Sequence, residues 1–108
     1  MTDKQVCIYF GEAARYTEPD AYASDVALSL EQEPDMALFE QLRTLWHVAN
    51  DPFRALLRLM GLTQTQCSTR FCIPLRTVQG WALGERSAPP YLRLMMAEAT
   101  GALNLHRS

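Results

Sequence analysis

Apolar residues recur along this chain in short groups, and most groups keep a helical period. The clearest is Phe53, Leu56, Leu57 and Met60, at i, i+3, i+4 and i+7, closed by Gly61, a residue suited to a helix C-terminus. Upstream, Phe39, Leu42, Trp46 and Ala49 form a stripe that Leu38 and Leu45 widen. Glu33-Pro34-Asp35 reads as the start of that helix. Asn50-Asp51-Pro52 breaks it, with Asp51 placed to cap the next helix and Pro52 at its first position. Glu18-Pro19-Asp20 is another start signal, but the segment behind it fits two periods. Tyr22, Val26 and Leu30 fall at helical spacing, whereas Val26, Leu28 and Leu30 alternate as a strand would. Helix is the reading adopted; a strand paired with residues 6–10 is the alternative. Val6 to Phe10 is a run of five apolar residues stopped by Gly11. Its β-branched and aromatic content favours a short buried strand, with Cys7 an inert buried thiol, although a helical turn also fits.

From Thr63 the pattern tightens. Thr63-Gln64-Thr65-Gln66 has capping-box spacing, which marks a helix start. Cys67 and Phe71 point inward at i and i+4, Ser68 is small enough for a close helix crossing, and Phe71-Cys72-Ile73 makes a turn. Pro74 opens a second helix with Val78, Trp81 and Ala82 as buried anchors, leaving Leu75, Arg76, Gln79 and Gly80 facing outward. Ser87-Ala88-Pro89-Pro90 starts a last helix whose stripe is Leu92, Met95, Met96, Ala99 and Leu103, with Gly101 near its end. The fold class expected is mainly α, a helical bundle with a possible short N-terminal β element.

At 108 residues with 48% apolar and 20% charged content, the chain suits one compact domain, or one with an appendage. No apolar run reaches the roughly 18 residues that span a bilayer, and the N-terminus lacks the marks of a signal peptide. Three cysteines without paired spacing read as reduced thiols, so a cytoplasmic protein is expected. Charge separates along the chain. Residues 1–51 carry ten acids against three bases, net −7; residues 52–108 carry seven arginines against two acids, net +5. A polyanion is attracted to the second half and repelled by the first. The division expected is an acidic region over 1–50, packed on or appended to a motif domain over 51–104.

That domain resembles the Xre/Cro-like, lambda-repressor-like helix-turn-helix family. The markers are Thr63-Gln64, Ser68, Ile73, Thr77-Val78, Trp81, Gly84, and Arg86 with prolines following, within about Leu57 to Gly101. The resemblance implies that helix 74–82 enters the DNA major groove, in a small transcriptional regulator of repressor type. In the family, the positions of Leu75, Arg76 and Gly80 commonly read bases and that of Gln64 holds a phosphate. On chemistry, Arg76 suits guanine, Gln79 adenine and Leu75 a thymine methyl. Thr63, Arg70, Thr77 and Arg86 join Gln64 as phosphate candidates. The resemblance also implies a homodimer on two half-sites and no cofactor. Three residues depart from the pattern: Cys72 where a turn glycine is usual, Gly80 in place of a long polar side chain, and Ala82 where an acid is frequent.

Enzyme chemistry has no support in the sequence. There is no glycine-rich phosphate loop, Ser/His/Asp arrangement or metal-ligand spacing, and the carboxylates are scattered. Trp46 and Trp81 read as packing residues, and His47 and His106 as surface histidines. The alternative to a DNA-binding regulator is a protein-interaction module, antitoxin-like or an accessory adaptor. It would bind a protein partner through its acidic N-terminal region and keep the helix-turn-helix as scaffold.

Overall fold

The computed structural model describes residues 1–31 and 35–105. The described residues form seven α-helices and one 3-10 turn, with no strand among them. No helix among them is long and apolar enough to cross a membrane. The chain divides into two compact units, Met1–Asn50 with Leu103–Ser108, and Asp51–Ala102.

In the first unit, α1 (Asp3–Glu12) replaces the strand expected over residues 6–10. Thr2 and Gln5 make a reciprocal capping box, with Thr2 N–H on Gln5 Oε1 at 2.8 Å and Gln5 N–H on Thr2 Oγ1 at 3.1 Å. The helix then buries only Val6 and Phe10, one turn apart, and exposes Cys7 and Ile8. The buried thiol expected at Cys7 is therefore corrected as well. A 3-10 turn, Ala13–Arg15, leads to α2 (Pro19–Ser29), with proline at its first position as expected. Tyr22, Ala23, Val26, Ala27 and Leu30 are buried, a stripe of helical period that excludes the strand alternative.

Following it, α3 (Met36–Asn50) packs against α2, α1 and the 3-10 turn. Glu33 and Pro34 lie outside the described residues, but the Asp35 carboxylate accepts the Leu38 N–H at 2.7 Å and supplies a start signal. The buried line of α3 is Leu42, Leu45 and Val48; Phe39, Trp46 and Ala49 are half-buried on its flank. The expected stripe is thus rotated by part of a turn. Polar side chains on its margin satisfy backbone groups of the preceding segment. Trp46 Nε1–H donates to the Tyr16 carbonyl at 2.9 Å and Asn50 Nδ2–H to that of Ala13 at 3.1 Å. His47 is half-buried, edge-on to the Trp46 ring at 5.1 Å, not a freely solvated histidine. The Arg43–Asp20 ion pair at 2.7 Å is exposed and contributes little stability.

The second unit holds α4 (Phe53–Met60), α5 (Gln64–Phe71), α6 (Leu75–Leu83) and α7 (Pro90–Ala99). Phe53, Leu56, Leu57 and Met60 are all buried, and Gly61 ends α4 at φ 72°. Pro52, rather than the expected Asp51, holds the N-cap of α4, and the Asp51 carbonyl accepts a bond from the Arg93 guanidinium of α7. Burial pulls the Arg93 pKa down, while the Asp51 charge works against that shift. The α7 stripe differs from the expected one. Met96 and Ala97 are buried, Met95 and Ala99 are exposed, and Leu103 lies beyond the helix, in the first unit.

Candidate nucleic-acid interface

The candidate site is built on α5, α6 and the turn between them. The expected capping box at the start of α5 is formed: Gln66 N–H donates to Thr63 Oγ1 at 3.1 Å, and Thr63 N–H to Gln66 Oε1 at 2.9 Å. Thr63 and Gln64 are exposed there. The amides of Gln64 and Thr65 belong to the first turn, where no intrahelical acceptor exists.

Cys72 takes the glycine place in the turn, at φ 55°, ψ 42°, in the left-handed region. Its N–H and that of Ile73 both reach the Ser68 carbonyl, the latter at 3.0 Å, and Ser68 Oγ–H donates to the Ile73 carbonyl at 2.6 Å. Ser68 was expected only to be small; its hydroxyl also ties the turn closed. Over-determination of this kind lets a residue with a Cβ hold a left-handed conformation that costs about 1–2 kcal/mol. Cys72→Gly is therefore expected to stabilise the protein by about 1 kcal/mol once glycine's greater unfolded-state freedom is deducted. A thermal melt checks this: a midpoint that falls would mean the cysteine side chain contributes packing that offsets the strain.

Val78 and Trp81 hold α6 to the unit, Trp81 with its ring 5.1 Å from that of Phe53 at an interplanar angle of 60°. Ala82, an expected anchor, is half-buried, as is Phe71. On the opposite side Leu75, Arg76 and Gln79 are exposed together, within about 100° of helix rotation. Neither the Arg76 nor the Gln79 side chain has a hydrogen bond or ion pair to another described residue. Leu83, 73% exposed, continues the line of Leu75 and Gln79. It was not among the expected contacts, and its i, i+4, i+8 spacing from Leu75 is the sequence signal that marks it.

Three expected contacts are placed differently. Gly80 does not face outward: it is buried, and the side chain of Arg86 crosses it. Arg70 is turned onto α7, where its Nη2–H donates to the Ala99 carbonyl at 2.9 Å, a cation on a helix C-terminus. Thr77 is half-buried, well away from Gln79 around the helix, and does not join the exposed face. Arg86 itself is exposed. The Asp51–Ala102 unit carries six arginines against Asp51, Glu85 and Glu98, net +3, so its field favours an anion. No group of three or more His, Cys, Asp or Glu positioned to hold a metal ion occurs among the described residues. Cys67 is buried, and burial raises its thiol pKa, which makes it a poor nucleophile.

No known protein-family model matches the chain, and no curated protein and no solved structure is significantly similar to it.

Proposed function

We propose that this protein is a sequence-specific double-stranded-DNA-binding regulator, of repressor type, that inserts α6 into the major groove. The observation that carries this reading is the outer face of α6. Leu75, Arg76 and Gln79 stand exposed on a helix whose opposite side is anchored by Val78 and Trp81, in a unit of net positive charge. Arg76 supplies the bidentate fork that fits guanine O6 and N7, Gln79 the donor–acceptor pair that fits adenine, and Leu75 an apolar surface for a thymine methyl. The exposed Thr63 and Gln64, with the free amides of the first α5 turn, supply the phosphate contact that sets register. Action as a cytoplasmic homodimer without a cofactor belongs to the same proposal. Tyr91 and Met95, both exposed and four residues apart on α7, are the apolar surface offered for the dimer.

The test is selection from a pool of random duplex DNA at two salt concentrations, with wild type and Arg76→Ala. Wild type is expected to enrich a site, and the variant to bind it about 5- to 150-fold more weakly with relaxed preference at one position. Weak binding that enriches nothing and vanishes equally in both proteins at moderate salt would overturn the reading.

One observation favours a second reading, the protein-interaction module. In the acidic unit Leu28 is 77% and Met36 74% exposed, more apolar surface than solvent contact rewards. On that reading Leu28→Asp abolishes capture of a protein partner and Arg76→Ala does not.

A further inference from the structure

Gly80 has no side chain to bury, yet it is covered, because Arg86 lies across it. A Cβ at Gly80 would meet Arg86 Cδ at 3.6 Å and Cγ at 3.8 Å, ordinary contact distances, so the arginine stem runs over that point of α6. The seat is fixed from the backbone. Gly84 turns the chain at φ 80°, and the Gly80 carbonyl accepts the N–H groups of Glu85 at 3.0 Å and Arg86 at 3.3 Å. Gly80 follows Arg76 by four residues, which places the two positions one above the other on the helix surface. The stem of Arg86 therefore crosses the surface of α6 one helical turn beyond Arg76. Neither the Arg76 nor the Arg86 guanidinium has a hydrogen bond or ion pair to another described residue.

We propose that Arg86, seated across Gly80, is a base-reading residue acting with Arg76, so that the preferred DNA site carries two guanines read by two guanidinium forks. This rests on the DNA-binding reading and changes the part played by two residues within it. Gly80 is no missing contact, since the stem of Arg86 covers that point of α6 in place of a side chain of its own. Arg86 is no mere phosphate contact, since its stem lies along α6 where a side chain longer than alanine at position 80 would extend.

The experiment repeats the DNA selection with Arg86→Lys, Arg86→Ala and Gly80→Leu, the last filling the seat. It then measures binding to the enriched site with 7-deazaguanine, which lacks N7, at each guanine in turn. Each Arg86 variant is expected to lose about 10-fold or more of the preference at one guanine, distinct from that lost in Arg76→Ala. Lysine fails there because a point charge cannot replace a planar fork. At that same position 7-deazaguanine weakens wild type and leaves Arg86→Ala unaffected. Gly80→Leu relaxes the same position, with an unchanged helical circular-dichroism signal showing that it is folded. The proposal falls if Arg86→Lys keeps every base preference and Arg86→Ala weakens all sequences alike with a salt slope lower by about 1, the signature of a phosphate contact. The DNA-binding reading survives that result. A wild-type protein that enriches no sequence removes both.

Discussion

Trp81→Ala is expected to lower the stability of the Asp51–Ala102 unit by about 3–5 kcal/mol. The indole is 8% exposed and packs against the Phe53 ring in an edge contact, which ties α6 to α4. Alanine leaves a void lined by residues held in place by their own helices, so the loss of transfer energy is joined by a cavity cost. A unit of this size has only about 3–8 kcal/mol in total at ordinary per-residue stabilities, so most of it is consumed. Far-ultraviolet circular dichroism against denaturant measures the effect. The two tryptophans fall one in each unit, so in the variant the remaining fluorescence of Trp46 follows the first unit alone. Trp81→Phe, which keeps an aromatic partner for Phe53, is expected to cost far less than alanine. A loss below about 1 kcal/mol in Trp81→Ala would show that α6 is not anchored through this ring.

The second large effect belongs to Tyr22. Its ring is completely buried, and its hydroxyl donates to the Tyr9 carbonyl at 2.6 Å, tying α2 to α1. Tyr22→Ala is expected to cost about 3–5 kcal/mol, as for other large buried aromatic residues. Tyr22→Phe keeps the ring, removes the donor and leaves the carbonyl unpaired, for about 1–3 kcal/mol. The same contact sets a pH dependence. Burial above all, with the Glu12 charge adding, raises the Tyr22 pKa well above its ordinary value of 10.0. In the unfolded chain the phenol ionises near pH 10, whereas in the folded protein it keeps its proton to higher pH. Above pH 10 the native state therefore binds more protons than the unfolded one. The stabilisation is complete below that pH and is lost as pH rises, by at most about 1.4 kcal/mol per unit. Tyr16, whose pKa is raised by its hydrogen bond to Asp25, adds a contribution of the same sign. Denaturant titrations at pH 8 and pH 11 are expected to show a fall in wild type and a smaller fall in Tyr22→Phe. Equal falls in both proteins would mean the phenol is not buried.

The elements that could be read from the sequence are those whose signals are local. The α4 stripe, the Gly61 stop, the Thr63–Gln66 capping box and the turn at Cys72 all follow from residues within a few positions of one another. At Val6–Phe10 the cap outweighs the apolar, β-branched composition, and the segment is helical. Thr2 and Gln5 have the same Thr-x-x-Gln spacing as Thr63 and Gln66, and it starts a helix in both places. A helix one turn in from a cap needs only Val6 and Phe10 to face the core, so the other apolar residues of the run are free to face water.

The face of α6 was legible in part. The 3.6-residue period placed Leu75, Arg76 and Gln79 opposite Val78 and Trp81, because a helix this short can hold only one side against its unit. What became of the long side chains was not legible. Arginines alike in sequence end on the Ala99 carbonyl, on the Asp51 carbonyl and over Gly80, for Arg70, Arg93 and Arg86 in turn. Each destination lies 6 to 42 residues away along the chain, and a guanidinium goes to whichever acceptor or bare backbone the packing brings within reach of its flexible stem. Periodicity, caps and charge asymmetry thus set the helices, their inward sides and the positive character of the second unit. Only the tertiary structure decided which cations are bound to the scaffold and that the Arg86 stem lies across Gly80, because that depends on contacts between segments that no local pattern encodes.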